Sequence, residues 1–156
     1  MRKKKKIKRH LIKPDEKFSS VIVSQLVNYV MRKGEKRTAK NIVYQAASEV
    51  EKNVSTPFLA VLEGAITNVR PSLETKSRKR GASTQREPVK VEEKRALTLA
   101  LRWLVNGAKG KKSSKAMFEK LAEEIRDAYN KTGEAFKKKE NVHKEAMSNM
   151  AFAKIK

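Results

Sequence analysis

Pro71-Ser72-Leu73-Glu74-Thr75-Lys76-Ser77-Arg78-Lys79-Arg80-Gly81-Ala82-Ser83-Thr84-Gln85-Arg86-Glu87-Pro88-Val89-Lys90-Val91 is where the helical spacing of the chain stops. Leu73, Thr75 and Ser77 alternate with charged residues, and Val89 and Val91 alternate on the return. A period of two is that of a strand. Gly81 stands midway, where a tight reversal needs a residue that tolerates positive φ. The stretch therefore predicts a two-stranded ribbon projecting from a helical body. From Lys76 to Arg86 it carries Lys76, Arg78, Lys79, Arg80 and Arg86 and no acid. A lone hairpin is marginal in water, and this one has almost no apolar face. It is expected to be mobile in the free protein and to become ordered against a polyanion.

On either side the spacing is helical. Upstream, Ile22, Leu26 and Tyr29 with Val23, Val27 and Val30 follow a Ser19-Ser20 cap, with Gly34 as the stop. Ala39, Ile42, Val43, Ala46, Ala47 and Val50 follow Thr38 as cap. Thr56-Pro57 announces a third helix with Leu59, Leu62, Ile66 and Val69 inward, closed by Pro71. Downstream, Pro88 is expected at the end of the second strand. A fourth helix runs from about Glu92 to Asn106, with Leu97, Ala100, Leu101, Leu104 and Val105 inside and Gly107 as its stop. A fifth begins at Ser113-Ser114 and turns Phe118, Leu121, Ala122, Ile125 and Tyr129 inward. Thr132-Gly133 breaks it, and a sixth carries a weak stripe of Val142, Ala146 and Met150. The fold class is mainly α: a bundle of about six helices with a two-stranded antiparallel β-ribbon between the third and fourth. Residues 1–156 read as one domain, with a basic arm at 1–13 and the ribbon extension at 72–91.

Thirty-eight per cent of the 156 residues are hydrophobic, enough for a core because they fall in periodic blocks. Lys and Arg number 38 against 17 acids, a formal net charge of +21. Such an imbalance works against the compact state, so it points to a polyanionic partner, nucleic acid first and a membrane surface second. No apolar run approaches the length of a spanning helix. The chain has no cysteine, which excludes disulfides, thiolate catalysis and Cys-containing zinc sites. The arm holds Arg2, Lys3, Lys4, Lys5, Lys6, Lys8, Arg9 and Lys13 and no acid. It lacks the serines and amphipathic pattern of a mitochondrial presequence and the apolar stretch of a secretory signal. It is expected to fold along a phosphate backbone.

Catalytic chemistry is missing from the sequence. His10 lies in the arm and His143 on the last helix, and a lone helical histidine is more often a packing or phosphate-contact residue than a catalyst. No Gly-x-Ser-x-Gly elbow occurs. Glu123-Glu124 with Asp127 reads as the face of an amphipathic helix rather than a metal pair. Gly107-Ala108-Lys109-Gly110-Lys111-Lys112-Ser113 fails as a phosphate loop, because Val105 stands where glycine is needed and Lys112 where Ser or Thr is needed. No catalytic residue, metal or cofactor is expected, and the chain is not read as an enzyme.

What is present is positive charge on five separated elements: the arm (2–13), the Gly34 turn with Lys36, the ribbon (76–86), a fourth-helix stripe of Lys94, Arg95, Thr98 and Arg102, and the loop 109–115. Arginines at 78, 80, 86, 95 and 102 supply planar forks for phosphate. No paired exposed aromatics suggest a stacking platform; Trp103, beside Arg102, could stack on a base but reads first as a core-edge residue. Recognition by shape and phosphates favours a folded RNA. An architectural DNA-binding protein with a basic ribbon in a groove is the alternative, although the tip Arg80-Gly81-Ala82 lacks an apolar wedge.

Several motifs in order resemble one family. They are Pro14-Asp15-x-Lys17-Phe18, then Ala65-x-x-Asn68-Val69-Arg70-Pro71 with Glu74-x-Lys76-Ser77-Arg78, then Gly81-x-Ser83-Thr84 with Pro88-Val89. Ala100-Leu101-Arg102-Trp103 and Val142-His143-Lys144-x-Ala146-x-x-Asn149-x-Ala151-Phe152-Ala153 complete the series. The chain resembles the bacterial-type small-subunit ribosomal protein "S seven" family from residue 14 to nearly its end. The resemblance implies a helical bundle with a protruding ribbon. It implies a structural component of the small subunit that binds the 3′ major domain of 16S-type ribosomal RNA and nucleates assembly of the subunit head. It further implies a site at the subunit interface near exit-site tRNA and mRNA, and neighbours of the "S nine" and "S eleven" families. Cytoplasmic ribosomes, or those of an organelle, would house it. The implied ribosomal-RNA contacts are Arg2, Lys3, Lys4, Lys5, Lys6, Lys8, Arg9, His10, Lys36, Arg70, Lys76, Arg78, Lys79, Lys94, Arg95, Arg102, Lys109, Lys111, Lys112 and Lys115. The implied contacts to exit-site tRNA or mRNA are Lys79, Arg80, Gly81, Ala82, Arg86 and His143. The family usually has glycine where Ala82 stands and often an aromatic where Gln85 stands, and Arg80 and Glu87 occupy positions more often apolar there.

Overall fold

The computed structural model describes residues 11–152. Six α-helices and one two-stranded sheet follow in the order α1 Val21–Val30, α2 Lys36–Asn53, α3 Phe58–Val69, β1 Leu73–Arg80, β2 Ser83–Lys90, α4 Glu93–Gly110, α5 Met117–Tyr129 and α6 Gly133–Ser148, with a 3-10 turn at Met150–Phe152. The ribbon lies between α3 and α4, as the alternation predicts. Its strands pair antiparallel from Leu73↔Lys90 to Arg80↔Ser83, which leaves Gly81-Ala82 as a two-residue turn with Gly81 at φ +61. Helix α5 packs against α2, α3, α4 and α6. The core around it includes Leu26, Val43, Phe58, Leu62, Ile66, Leu101, Leu104, Leu121 and Ile125, all fully buried. Apart from Phe58, these are expected inward positions of the four- and three-residue spacing. Tyr129, expected inward on α5, is exposed and Ala128 is buried instead, while Met150, expected on the α6 stripe, is exposed in the 3-10 turn.

The ends of the helices differ from the sequence expectations, each for a local reason. Helix α1 stops at Val30 rather than at Gly34, and the chain reverses through Lys33 at φ +51 and Gly34 at φ +83. Helix α2 is capped at Glu35, which puts Thr38 inside its first turn. Helix α3 starts one residue later than Thr56-Pro57 suggests. Pro57 is its cap residue, and the orphan N–H of Phe58 is satisfied by Glu51 Oε1 of α2 at 3.2 Å. Pro88 does not end β2, which runs on to Lys90. A two-stranded ribbon has only edges, so a residue without N–H is tolerated there. Helix α5 begins at Met117, four residues after Ser113, with the Ala116 N–H donating to Glu119 Oε2 at 3.0 Å.

Gly107 does not stop α4, which continues to Gly110. The residue is buried mid-helix against Glu124 of α5, and a Cβ there would lie 2.8 Å from Glu124 Oε1. Glycine is needed for close approach rather than for a left-handed turn. Glu124 is itself fully buried. Its Oε1 accepts the Ala135 N–H in the first turn of α6 at 2.8 Å, and its Oε2 lies 3.3 Å from Lys111 Nζ at the end of α4. A carboxylate at a helix N-terminus is favourable to the helix dipole. Here it also ties α4, α5 and α6 together.

Candidate nucleic-acid interface

The ribbon does not stand free of the body. It lies against α6 and the 3-10 turn, and most of the polar bonds at its root involve carboxylates. The Val91 N–H donates to the Ser72 carbonyl at 3.0 Å, closing the root. Glu74 is buried on β1 and receives the Arg95 Nε of α4 at 2.8 Å and its Nη2 at 2.7 Å, with Lys76 Nζ at 3.7 Å. Glu87, buried on β2, accepts from Arg78 Nη1 at 3.2 Å. Glu145 of α6 accepts the Thr75 hydroxyl at 3.4 Å and pairs with Arg86. The Ser72 N–H donates to His143 Nε2 at 3.1 Å, a bond that requires an unprotonated ring nitrogen. Burial, and then the charge of Lys139, hold the His143 pKa below its ordinary value, which keeps the acceptor available.

A second cluster forms where α4 meets α5. Lys111 Nζ donates to Asp127 Oδ2 at 2.8 Å and lies 3.3 Å from Glu124 and 3.8 Å from Glu123. Burial alone would lower its pKa. The hydrogen bond to Asp127 and the charges of Glu124 and Asp127 outweigh burial and raise it. Glu123 also pairs with Lys115, and that hydrogen bond is the main cause of its lowered pKa. Glu123, Glu124 and Asp127 are thus met by lysines, and among the described residues no group of three or more acids or histidines is placed to hold a metal ion.

The cations expected to touch RNA therefore divide into two sets. Lys76, Arg78, Arg86, Arg95, Lys111 and Lys115 are engaged by carboxylates of the chain. Lys36, Arg70, Lys79, Lys94, Arg102, Lys109 and Lys112 are exposed, and none has an acid partner among the described residues. Burial, and then the nearby charge of Arg32, lower the pKa of Lys109. Lys94, Arg102 and Lys109 share α4, and Lys112 follows its end. Lys36 opens α2, Arg70 closes α3 and Lys79 lies beside the ribbon tip. Arg95, two turns before Arg102 on α4, is exposed as Arg102 is, but its guanidinium is bound to Glu74 of the ribbon. Gly81 and Ala82 are exposed at the turn and Arg80 ends β1. His143 lies at the root of the ribbon rather than at its tip. Arg2, Lys3, Lys4, Lys5, Lys6, Lys8, Arg9 and His10 lie outside the described residues.

Sequence reasoning missed Glu74, Glu124 and Glu145 as organisers of this surface. The available signal was scarcity: in a chain of net charge +21, an acid set among basic residues has many possible partners. Which partner it takes depends on the tertiary fold. Trp103 is half-buried and packs on the core edge, as expected, while also lining a cleft between α4 and α6.

A family model described as ribosomal protein S7p/S5e matches residues 1–150. The chain is 42% identical over 158 aligned positions to the small ribosomal subunit protein uS7 of Wolbachia sp. subsp. Brugia malayi (strain TRS), covering 100% of this chain and 99% of that protein. It is 44% identical to the uS7 of Mesomycoplasma hyopneumoniae (strain 7448), with the same coverage of both chains. The uS7 of Chloroflexus aggregans (strain MD-66 / DSM 9485) is 42% identical over 94% of this chain and 93% of its own length.

Proposed function

The chain belongs to the ribosomal protein S7p/S5e family, and from that premise we propose that it binds the 3′ major domain of small-subunit ribosomal RNA and nucleates assembly of the subunit head. Its role is structural and non-enzymatic, as a component of the small ribosomal subunit that supports translation. The single observation that carries the RNA reading is the division of its cations. Seven of the expected contact residues are exposed without acid partners among the described residues, and they lie on α2, at the end of α3, on β1, on α4 and in the loop after α4. A surface left unneutralised on five elements suits a folded polyanion with phosphates in several directions. The ribbon, held at its root and bearing Lys79, Arg80, Gly81 and Ala82 near its tip, is the element that reaches toward exit-site tRNA and mRNA. Neighbours of the "S nine" and "S eleven" families complete the assembly.

The test is binding across a salt series to a folded RNA fragment from the subunit head and to a DNA duplex of equal length. The parent chain is compared with one lacking residues 76–86. Both ligands give a steep salt slope, since counterion release follows charge alone. The expected result is a preference for the folded RNA of roughly 4 kcal/mol or more at physiological salt, the scale of specific over non-specific binding. Removing the ribbon weakens that binding only in part. Equal binding of duplex DNA, abolished by losing the ribbon, would replace this reading with an architectural DNA-binding one.

A further inference from the structure

Helix α4 places Arg102, Asn106 and Gly110 at four-residue steps along one face, with Trp103 and Gly107 beside them. Glu134 and Lys138 face them from α6, again one turn apart. These residues line a cleft of about 350 Å³, a volume within the range of small-ligand sites, which starts near roughly 300 Å³. The indole packs on the core and also lines the cleft, so its position is set from behind. Asn106 is exposed and its amide has no hydrogen-bond partner among the described residues. Arg102 and Lys138 are exposed and have no acid partner among them. Glu134 pairs with Lys137 at 3.0 Å, and no ion pair joins it to Lys138 among the described residues. Nothing obstructs the cleft at Gly110, where a Cβ would meet no atom within 4 Å.

We propose that this cleft seats one unpaired nucleotide of a bound RNA, with its base stacked on Trp103, its edge read by the Asn106 amide, and its phosphate held by Arg102 and Lys138. The proposal rests on the RNA reading above and adds a subsite to it. An anchored aromatic face, a free amide and two unneutralised cations are the elements from which single-stranded RNA is recognised. An apolar side chain from a protein partner would fit the cleft less well, since it would leave Asn106, Arg102 and Lys138 facing it without partners. A base within a duplex cannot offer its face to the indole.

Trp103 is the only tryptophan of the chain, so its fluorescence reports the site directly. The full chain is titrated at low salt with labelled mixed-sequence RNA hexamers, reading label anisotropy and tryptophan emission together. The expected result is quenching with the same midpoint as the anisotropy, and reduced access of acrylamide to Trp103. Trp103→Leu should weaken binding by about five- to a hundredfold, the range found for single base–aromatic stacks. Trp103→Phe should stay within a few-fold of the parent. Asn106→Ala should shift the preference between all-adenine and all-uracil hexamers. If the leucine variant does not fold, the phenylalanine and alanine variants carry the test.

Hexamer binding seen by anisotropy, with emission and acrylamide access unchanged, overturns the subsite and leaves the RNA reading standing. Absence of any RNA binding overturns both. Quenching by an acidic peptide but not by RNA makes the cleft a protein site. Saturation by a free mononucleotide that does not compete with the hexamer makes it a metabolite site. Either result defeats the proposal.

Discussion

Replacing Gly107 by alanine should destabilise this protein, although the same change in most helix interiors stabilises. Relieving a mid-helix glycine contributes about 0.8–1.0 kcal/mol in favour of alanine. Here the new Cβ would lie 2.8 Å from Glu124 Oε1, 2.9 Å from its Cδ and 3.3 Å from its Cγ. Glu124 cannot swing into solvent, because it is fully buried. It is pinned by the Ala135 N–H at 2.8 Å and approached by Lys111 Nζ at 3.3 Å. Withdrawing it by even half an ångström stretches both. A hydrogen bond to a charged group is worth about 1.5–3 kcal/mol, and the Ala135 N–H would be left buried without a partner. The cost exceeds the gain, and the expected net loss is about 1–2 kcal/mol. For a domain of this size that lowers Tm by roughly 2–8 °C.

Urea unfolding of Gly107→Ala, Glu124→Ala and the double variant separates the terms. Glu124→Ala alone should be strongly destabilising. In that background Gly107→Ala should turn neutral or stabilising, by up to about 1 kcal/mol, since only helix propensity remains. The sign reversal is the signature. A Gly107→Ala variant more stable than the parent, with Glu124 in place, would refute the reasoning. It would mean that the carboxylate yields without cost and is not the junction described here.

Three further outcomes follow from the ribbon and its cations. The His143 pKa is lowered in the fold by burial and then by Lys139. Its contribution is therefore present above the unfolded value near 6.5 and lost as pH falls through the lower folded value, so Tm should drop more steeply on acidification below about pH 6.5 in the parent than in His143→Phe; identical profiles would remove the histidine from the ribbon's support. Glu145→Gln weakens the tie from Thr75 and Arg86 to α6 and should reduce amide-exchange protection across β1 and β2. Because the Arg86 pair is exposed, global stability should change by less than about 1 kcal/mol; unchanged protection would show that the ribbon is held otherwise. Neutralising Arg102 or Lys94 should shallow the salt dependence of RNA binding by about 0.7–0.9 per contact, while Arg95→Gln, whose charge is already met by Glu74, should change the slope less; equal effects would contradict the division into paired and open cations.

The ribbon and the helical faces were legible in the sequence because both depend on local period. Leu73 to Ser77 alternate, and Leu97 to Val105 repeat at three and four residues, before any tertiary contact is known. The ends of the elements were less legible, because their signals are ambiguous. Gly107 has the composition of a helix stop, but its missing side chain makes room for Glu124 of the next helix, seventeen positions on. Thr56 has the composition of a cap, but a carboxylate on the preceding helix caps Phe58 instead. The candidate site was legible as a set of charged regions and not as individual contacts. Arg95 and Arg102 are two turns apart on one helix and look equivalent, yet a buried acid on the ribbon engages one and leaves the other open.

That selectivity gives the acids of this chain a common logic. Of 17 acids, four are buried: Asp15, Glu74, Glu87 and Glu124. Burying a carboxylate is costly unless charge or hydrogen bonds compensate it. Each of these holds separate segments of the chain together. Asp15 accepts the Lys17 and Phe18 N–H groups and the Tyr44 hydroxyl where the chain enters the bundle. Glu74 ties the ribbon to α4, Glu87 braces its two strands, and Glu124 joins three helices. Surface acids scattered over the binding face would cancel the charge that attracts a polyanion. Glu74, Glu87 and Glu124 instead meet cations at such joints, while Lys94, Arg102, Lys109 and Lys112 have no acid partner among the described residues. Part of the repulsion that such a net charge brings is in this way relieved at the joints, while cations on the outer surface stay open to a polyanion.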